Sequence, residues 1–542
     1  MAHWFMGRAM LHPTPPPLRG TSPFRGGFRY QTCVPTVGVP SLRAMITRAL
    51  FAAAAAFALT PIALAQTDKP VTEAELAAHI DILASDAFEG RAPGTTGEYR
   101  TIAYVTGEWA KAGLVPVPGS ATPWLQPVPL VETRNLGGSA TFRRDGRTIA
   151  LEEDGILLTS RTASAELKDL SLVFVGYGVD ASGKVAADVR GKIAVMLFDN
   201  APYGTNLPRY RDRRRLLGDA GAAAVLVVAG ESLPWAQLKG ALANASITLA
   251  SNAASGPNVS GFLAPTAFDT LVTRAGEKSD DLRSAARSPD FTARDLGIRA
   301  DISASTAIRA FDSHNIIGKL SGGKPDGKAI VIMGHWDHLG FCRPEGVPDR
   351  ICNGAVDNAS GIAVMIEVAK RLGRGQRPDR DIYFLATTAE ESGLLGAYHF
   401  ADNPVVPLAD ITVALNIDTI AISPRGTPVA TIGRGSAPHD ALVADVVTKL
   451  GRKLDSDGEA DAFVQRQDGW AFGAKGVVSL MAGGSFSDMA LLQAFLGSNY
   501  HGPADQPGQP YPLGGAAEDA DLHIALARAF GSVKRWAGVP KP

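Results

Sequence analysis

Between Lys328 and Asp418 three apolar, β-prone runs each end in side chains that bind protons or metals. AIVIM leads to His335 and Asp337, IYFLATTA to Glu390 and Glu391, and VALNI to Asp418. Runs with so little polar alternation suit strands covered on both faces. Helix-like stretches separate them, GIAVMIEVAKRLG after the first and LLGAYHFAD after the second. Strand and helix in this alternation imply an α/β fold, a mostly parallel central sheet flanked by helices. Such sheets bind ligands beyond the carboxyl ends of their strands, which is where these acids fall. A further acid, Asp357, stands in the small-residue loop NGAVDNASG just before the first of the helices.

Each element has an ordinary reading when taken alone. A histidine near an acid is common, adjacent glutamates usually decorate a surface, and Asp357 could belong to a helix N-cap loop. Two unpaired charges following a buried run are costly, however, unless something neutralises them. A metal would neutralise one glutamate and leave the other to act on a bound water. Together with His501 in SNYHGPAD, the order His, Asp, Glu-Glu, Asp, His provides five ligands. With one carboxylate bridging, these can hold two zinc ions.

The remaining sequence sets the bounds. The 542 residues suggest about three units, or two with insertions. Residues 45–65, MITRALFAAAAAFALTPIALA, have a basic start, an apolar core and an Ala-Leu-Ala end, as an export signal does. The expectation is therefore a periplasmic or secreted protein without a stable membrane anchor. Met45 is the preferred start, and residues 1–44 are read as an extension upstream of it. Without residues 1–65 the chain keeps 47 basic and 54 acidic residues, a net charge of −7. No basic stripe points to nucleic acid. Cys33 is lost with the leader, and Cys342 and Cys352, flanking a Pro/Gly-rich loop, are expected to form a disulfide.

Beyond the leader, VTEAELAAHIDILAS reads as a helix with capping-box spacing between Thr72 and Glu75, and His79 within it reads as structural. TIAYVTGEWAKAG reads as a second helix, and PVPGSATPWLQPVPL as a turn into an edge strand. From about Glu132 to Ala300 short strands dominate, so residues 132–300 are expected to form a β-rich insert between two parts of one domain, 66–131 and 301–542. Its single expected helix, RYRDRRRLLGDAG, carries Arg209, Arg211, Arg213, Arg214 and Arg215, read as a solvated face.

The segments GHWDHLG, NGAVDNASG, AEESGLLGA, NID and YHGPAD resemble, in order, the di-zinc exopeptidases that include aminopeptidase Y, bacterial leucyl aminopeptidases and glutamate carboxypeptidase. DILASDAFEGRAPGTTGE resembles the N-terminal segment of secreted bacterial members. The insert, with VGYGV and DVRGKIAVM, resembles a protease-associated domain. The resemblance implies that His335 and Asp418 bind one zinc, Glu391 and His501 the other, and that Asp357 bridges them. It further implies that Glu390 is the general base acting on a metal-bound water, that Asp337 orients His335, and that Tyr500 hydrogen-bonds the tetrahedral intermediate. His338 is a candidate for the surrounding shell only, and His314, His399, His439 and His523 are expected to be structural or exposed. Where many relatives read Ser-Asp-His, this chain has Gln467-Asp468-Gly469, followed by Trp470 and Phe472. The implied activity is an aminopeptidase acting on peptides. A carboxypeptidase, a glutaminyl-cyclase-like enzyme and a non-catalytic binding module remain as alternatives.

Overall fold

The computed structural model describes residues 69–538 except 118–121, 205–206, 231–233, 244 and 434. The readings placed on residues 1–65, the export signal and Cys33 among them, lie outside the described residues.

The apolar runs form strands whose carboxyl ends lie side by side. Asp381–Thr387, Ala329–His335, Ile411–Asn416 and Ser479–Gly483 are neighbours in that order and run parallel. Antiparallel strands Arg294–Leu320 and Ala430–Ile432 border them. Side chains of alternating residues serve opposite faces. Ile330, Ile332, Phe384, Val413 and Leu415 pack with the helices Glu73–Leu83, Thr96–Lys111, Gly361–Arg374 and Leu513–Gly531. On the other face Val331, Met333, Leu385 and Ala414 meet Leu395–Asp402 through Ala397 and Phe400. Burying an aliphatic side chain of this size contributes about 1.5–3 kcal/mol, so two covered faces fix the strands that carry the acids.

The Glu73–Leu83 helix has its capping box, with Glu75 N–H donating to Thr72 Oγ1 at 3.3 Å and Thr72 N–H donating to Glu75 at 2.9 Å. His79 on this helix is structural, its ring nitrogens 2.6 Å from Tyr104 Oη and 3.0 Å from Glu367.

The expected edge strand is instead a strand of 20 residues, Leu125–Arg144, paired antiparallel with the 27-residue strand Arg294–Leu320. Arg294–Leu320, pairing with Asp381–Thr387 near its end and with Ser164–Phe174 near its start, joins the parallel sheet above to a second parallel set, Ser164–Phe174, Ile193–Leu197, Ala224–Val228 and Val259–Leu263. That second set has its own apolar cluster, including Phe142, Phe174, Leu226, Val228 and Phe268. It is not only strands, because the helices Pro265–Arg274 and Ser279–Ala286 also cover it. The first was legible, with Pro265 at its opening turn and Ala267, Phe268, Leu271 and Val272 along one face.

The arginine-rich helix, Tyr210–Asp219, is not a uniformly solvated face. Arg213 is 1% exposed, and its guanidinium donates to the carbonyls of Tyr177, Leu197, Phe198 and Asp199. It lies one turn before the buried Leu217, on the side of the helix facing the sheet. Arg209 and Arg211 reach the carbonyls of Gln465 and Ser392, which lie in turns of the 301–542 part of the chain.

Cys342 and Cys352 are disulfide-bonded, with 5.7 Å between their Cα atoms. No helix among the described residues is long and apolar enough to cross a membrane.

Candidate metal centre

The parallel strands deliver His335, Glu390 with Glu391, and Asp418 to one end of the sheet. The loop before helix Gly361–Arg374 brings Asp357 to the same end. His335, the last residue of its strand, is 2% exposed. Its Nδ1 lies 3.1 Å from the Asp337 carbonyl, which can only accept, so Nδ1 carries a proton and Nε2 is turned to the acids. Nε2 faces Asp357 Oδ1 at 3.2 Å and Asp418 Oδ1 at 3.4 Å. The atom of Asp337 that holds the ring is thus its carbonyl. Its carboxylate is 3.9 Å from Nδ1 and accepts instead from the Glu390 backbone N–H at 3.0 Å. Burial raises the Asp337 carboxyl to about 8.

Asp357 faces both ways. Its Oδ2 lies 3.4 Å from His501 Nε2, so each of its oxygens addresses a different imidazole. His501 Nε2 is also 2.9 Å from Glu391 Oε2. Glu391 Oε1 lies 2.5 Å from His338 Nδ1. Burial acts to raise Glu391, but His338 and His501 outweigh it and hold the carboxyl down near 2. Glu390 shifts the other way: burial, with Glu391, Asp468 and Asp418 adding to it, raises its carboxyl well above the usual range.

Glu390 lines a cavity with His335, Asp357, Asp418 and Tyr500, whose apolar walls include Phe463, Met481 and Phe486. Tyr500 stacks on His501 with ring centroids 3.7 Å apart, and burial keeps its phenol protonated. The structure therefore brings together all eight residues singled out in the sequence.

The surrounding frame holds residues whose roles the motifs did not reveal. Asp505 of YHGPAD accepts from the backbone N–H groups of Val356 and Asp357 at 2.9 and 3.1 Å. Asn358 donates to the carbonyls of His335 and Ile417 and accepts from the N–H groups of Gly361 and Thr419, joining two strand ends to the helix. Asp468, 1% exposed, accepts from Thr387 Oγ1 at 2.5 Å behind the glutamate loop, and burial raises it to about 6. Beside it, a Cβ on Gly469 would lie 1.9 Å from Ser479 Oγ, so no larger side chain fits there without movement. Arg91 is fully buried and donates to the carbonyls of Trp336, Leu83, Asn353 and Gly354. The only available signal for Arg91 was its place in the N-terminal segment DAFEGRAPGTTGE.

Gly354 opens the Asp357 loop at φ 59°, and a Cβ there would lie 2.1 Å from the Asp357 carbonyl oxygen and 2.6 Å from His338 Cγ. Gly354→Ala should lower stability by about 2–4 kcal/mol, combining left-handed strain with overpacking. Denaturant unfolding of the two proteins checks this.

The donor set suits hard or borderline divalent cations. Asp357, Glu390, Glu391 and Asp418 crowd together around Nε2 of His335 and of His501, while Arg91, buried nearby, spends its donors on carbonyls. Single ligand atoms of His335, Asp357 and Glu391 lie within 4.8 Å of one another. Oxygen and imidazole donors at this density match zinc.

Residues 315–516 match the model of peptidase family M28. A vacuolar membrane protease of Candida glabrata is 33% identical over 115 residues, 21% of this chain and 11% of that protein. The probable lipoprotein aminopeptidase LpqL of Mycobacterium tuberculosis is 26% identical over 243 residues, 42% of this chain and 45% of its own. The chain thus spans between about a tenth and under half of these curated relatives. An aminopeptidase from Aneurinibacillus sp. strain AM-1 shares the fold, with a TM-score of 0.53 at 18% identity, covering 85% of this chain and 94% of that one. The segment 315–516, in which the similarity to peptidase family M28 lies, is the one that supplies His335, Asp357, Glu390, Glu391, Asp418 and His501.

Proposed function

We propose that this chain is an exported di-zinc aminopeptidase that removes N-terminal residues from peptides. In this reading residues 66–131 and 301–542 form the catalytic part, and 132–300 is a protease-associated insert. The carrying observation is Asp357, one carboxylate whose two oxygens face two different imidazoles, each imidazole with a further carboxylate beside it. His335 and Asp418 would hold one zinc, Glu391 and His501 the other, and Asp357 would bridge.

Bound there, zinc supplies Lewis acidity to polarise the scissile carbonyl and to acidify the attacking water. The chain's own residues do the rest. Glu390, anchored through its backbone N–H to Asp337, takes the water's proton and passes it to the leaving amine. Tyr500 keeps its phenolic proton and donates it as a hydrogen bond to the oxygen that gains charge. The apolar walls at Phe463, Met481 and Phe486 receive the substrate side chain.

The test is a panel of aminoacyl substrates with free and with blocked N-termini, assayed with and without a chelator. The expected result is hydrolysis of the free-amine substrates only, abolished by chelation and restored by zinc. Equal cleavage of blocked peptides would sink the aminopeptidase assignment. Activity that survives chelation would sink the metal.

A further inference from the structure

His338 is buried against the candidate centre, yet none of the roles assigned above uses it. Its side chain is 0% exposed. One flank of the ring lies against Gly354, where a Cβ would be 2.6 Å from its Cγ and 2.7 Å from its Cδ2. The other flank is 5.7 Å, centroid to centroid, from His501 at a steep interplanar angle of 65°. Its backbone N–H points to the Arg91 carbonyl at 3.4 Å. Ring and backbone are thus both held in place. The side chain has one polar contact, Nδ1 to Glu391 Oε1 at 2.5 Å, and Nε2 is buried with no hydrogen-bond partner.

An ionised carboxylate oxygen can only accept, so the ring nitrogen that faces it carries the proton. His338 therefore donates Nδ1–H to Glu391 Oε1. A glutamate carboxylate turns easily about its last torsion, which is broad and two-fold. Pinning Oε1 removes that freedom and leaves Oε2 on the side of His501, 2.9 Å from its Nε2.

We propose that His338 is the positioning residue of Glu391: it fixes one carboxylate oxygen so that only the other is offered to the metal. This rests on the reading of Glu391 and His501 as ligands of one zinc. Histidine usually receives such support from a carboxylate in metal sites. Here the roles are exchanged, with a histidine supporting a carboxylate. The expected consequence is a monodentate Glu391 and a selective effect of His338 on one of two metal positions.

Zinc affinities measured by competition with a chromophoric chelator test this, using the full chain as wild type, His338→Leu and His338→Asn. The Asn amide can offer an N–H where Nδ1–H stands, whereas Leu cannot. The expected result is that His338→Leu loses about 10–100-fold in affinity for one zinc and keeps the other, while His338→Asn stays within about 3-fold at both. The cobalt(II)-substituted absorption spectrum should change in the Leu variant and revert in the Asn variant, and turnover should follow the spectrum through kcat rather than KM. Should His338→Leu not fold, His338→Gln takes its place, since its amide reaches the position of Nε2 and not that of Nδ1. Unchanged affinity at both positions in His338→Leu, or an Asn variant as weak as Leu or Gln, overturns the inference. A wild-type chain that binds no zinc overturns the proposed function along with it, whereas two tight ions indifferent to His338 overturn this inference alone.

Discussion

Glu390→Gln should lower turnover by about 10²–10⁴-fold, the usual contribution of a positioned general base, while zinc content stays at the wild-type level. The substitution keeps the shape and the backbone N–H that Asp337 accepts, so the loop has no reason to move. It removes only the ability to take a proton. Glu391→Gln provides the contrast. Glu391 touches both His338 and His501, so neutralising it should release metal as well as activity. Metal analysis and single-substrate kinetics on the two variants separate the roles. Near wild-type turnover in Glu390→Gln would give the base to another group. Equal metal loss in both variants would mean that the two adjacent glutamates share one function.

Which of these residues could be read from the sequence follows from how each is positioned. His335, Asp337, Glu390, Glu391 and Asp418 follow apolar runs, and such runs announce both the strand and its burial, so side chain and location are legible together, whereas Asp357 stands in a loop of small residues. His501 has no such frame. It sits in a loop at φ 56°, and only the resemblance of YHGPAD placed it. Arg213 was misread because a run of arginines looks the same from every side until the helix is docked. Its burial is decided by the carbonyls of Tyr177, Leu197, Phe198 and Asp199, which lie at or just beyond the ends of two strands and meet the helix only once it has docked. The length of Leu125–Arg144 was hidden for a related reason, since only three of its 20 residues are buried and its main partner is the still longer Arg294–Leu320, far away in sequence. The preference of Asp337 for the Glu390 backbone could not be seen from a His-x-Asp spacing, which gives neighbours but not directions.

Arg91→Met should be the most destabilising single change outside the acid cluster, and it should disable the site without touching a ligand. The Arg91 guanidinium donates to the carbonyls of Leu83 at 2.8 Å, Trp336 at 2.9 Å, Asn353 at 2.6 Å and Gly354 at 2.8 Å. Trp336 lies between His335 and Asp337, and Asn353 and Gly354 open the Asp357 loop, so one side chain ties together the two segments that must meet. The backbone is bent to aim it: Glu89, Gly90 and Arg91 have φ of 50°, 62° and 54°. At Gly90 a Cβ would sit 2.3 Å from the Cys352 carbonyl oxygen, so that turn requires glycine. Burial pulls the Arg91 pKa down to about 10, with Asp505, Asp357, Asp337 and Glu391 opposing the fall, so the group is charged at neutral pH. Methionine fills much of the same volume but donates nothing, leaving four buried carbonyls short of a donor at about 1–3 kcal/mol each before relaxation. An overall loss of about 4 kcal/mol or more is expected, in the range that marks a broken buried network. Arg91→Lys keeps the charge but cannot reach all four oxygens from one ammonium, so it should fall between the two. Unfolding midpoints and zinc affinity measured on the three proteins should decline in the same order. Stability that falls while zinc affinity holds would make Arg91 a prop for the fold alone, because a clamp on the Asp357 loop cannot be lost without the loop's ligand losing its place.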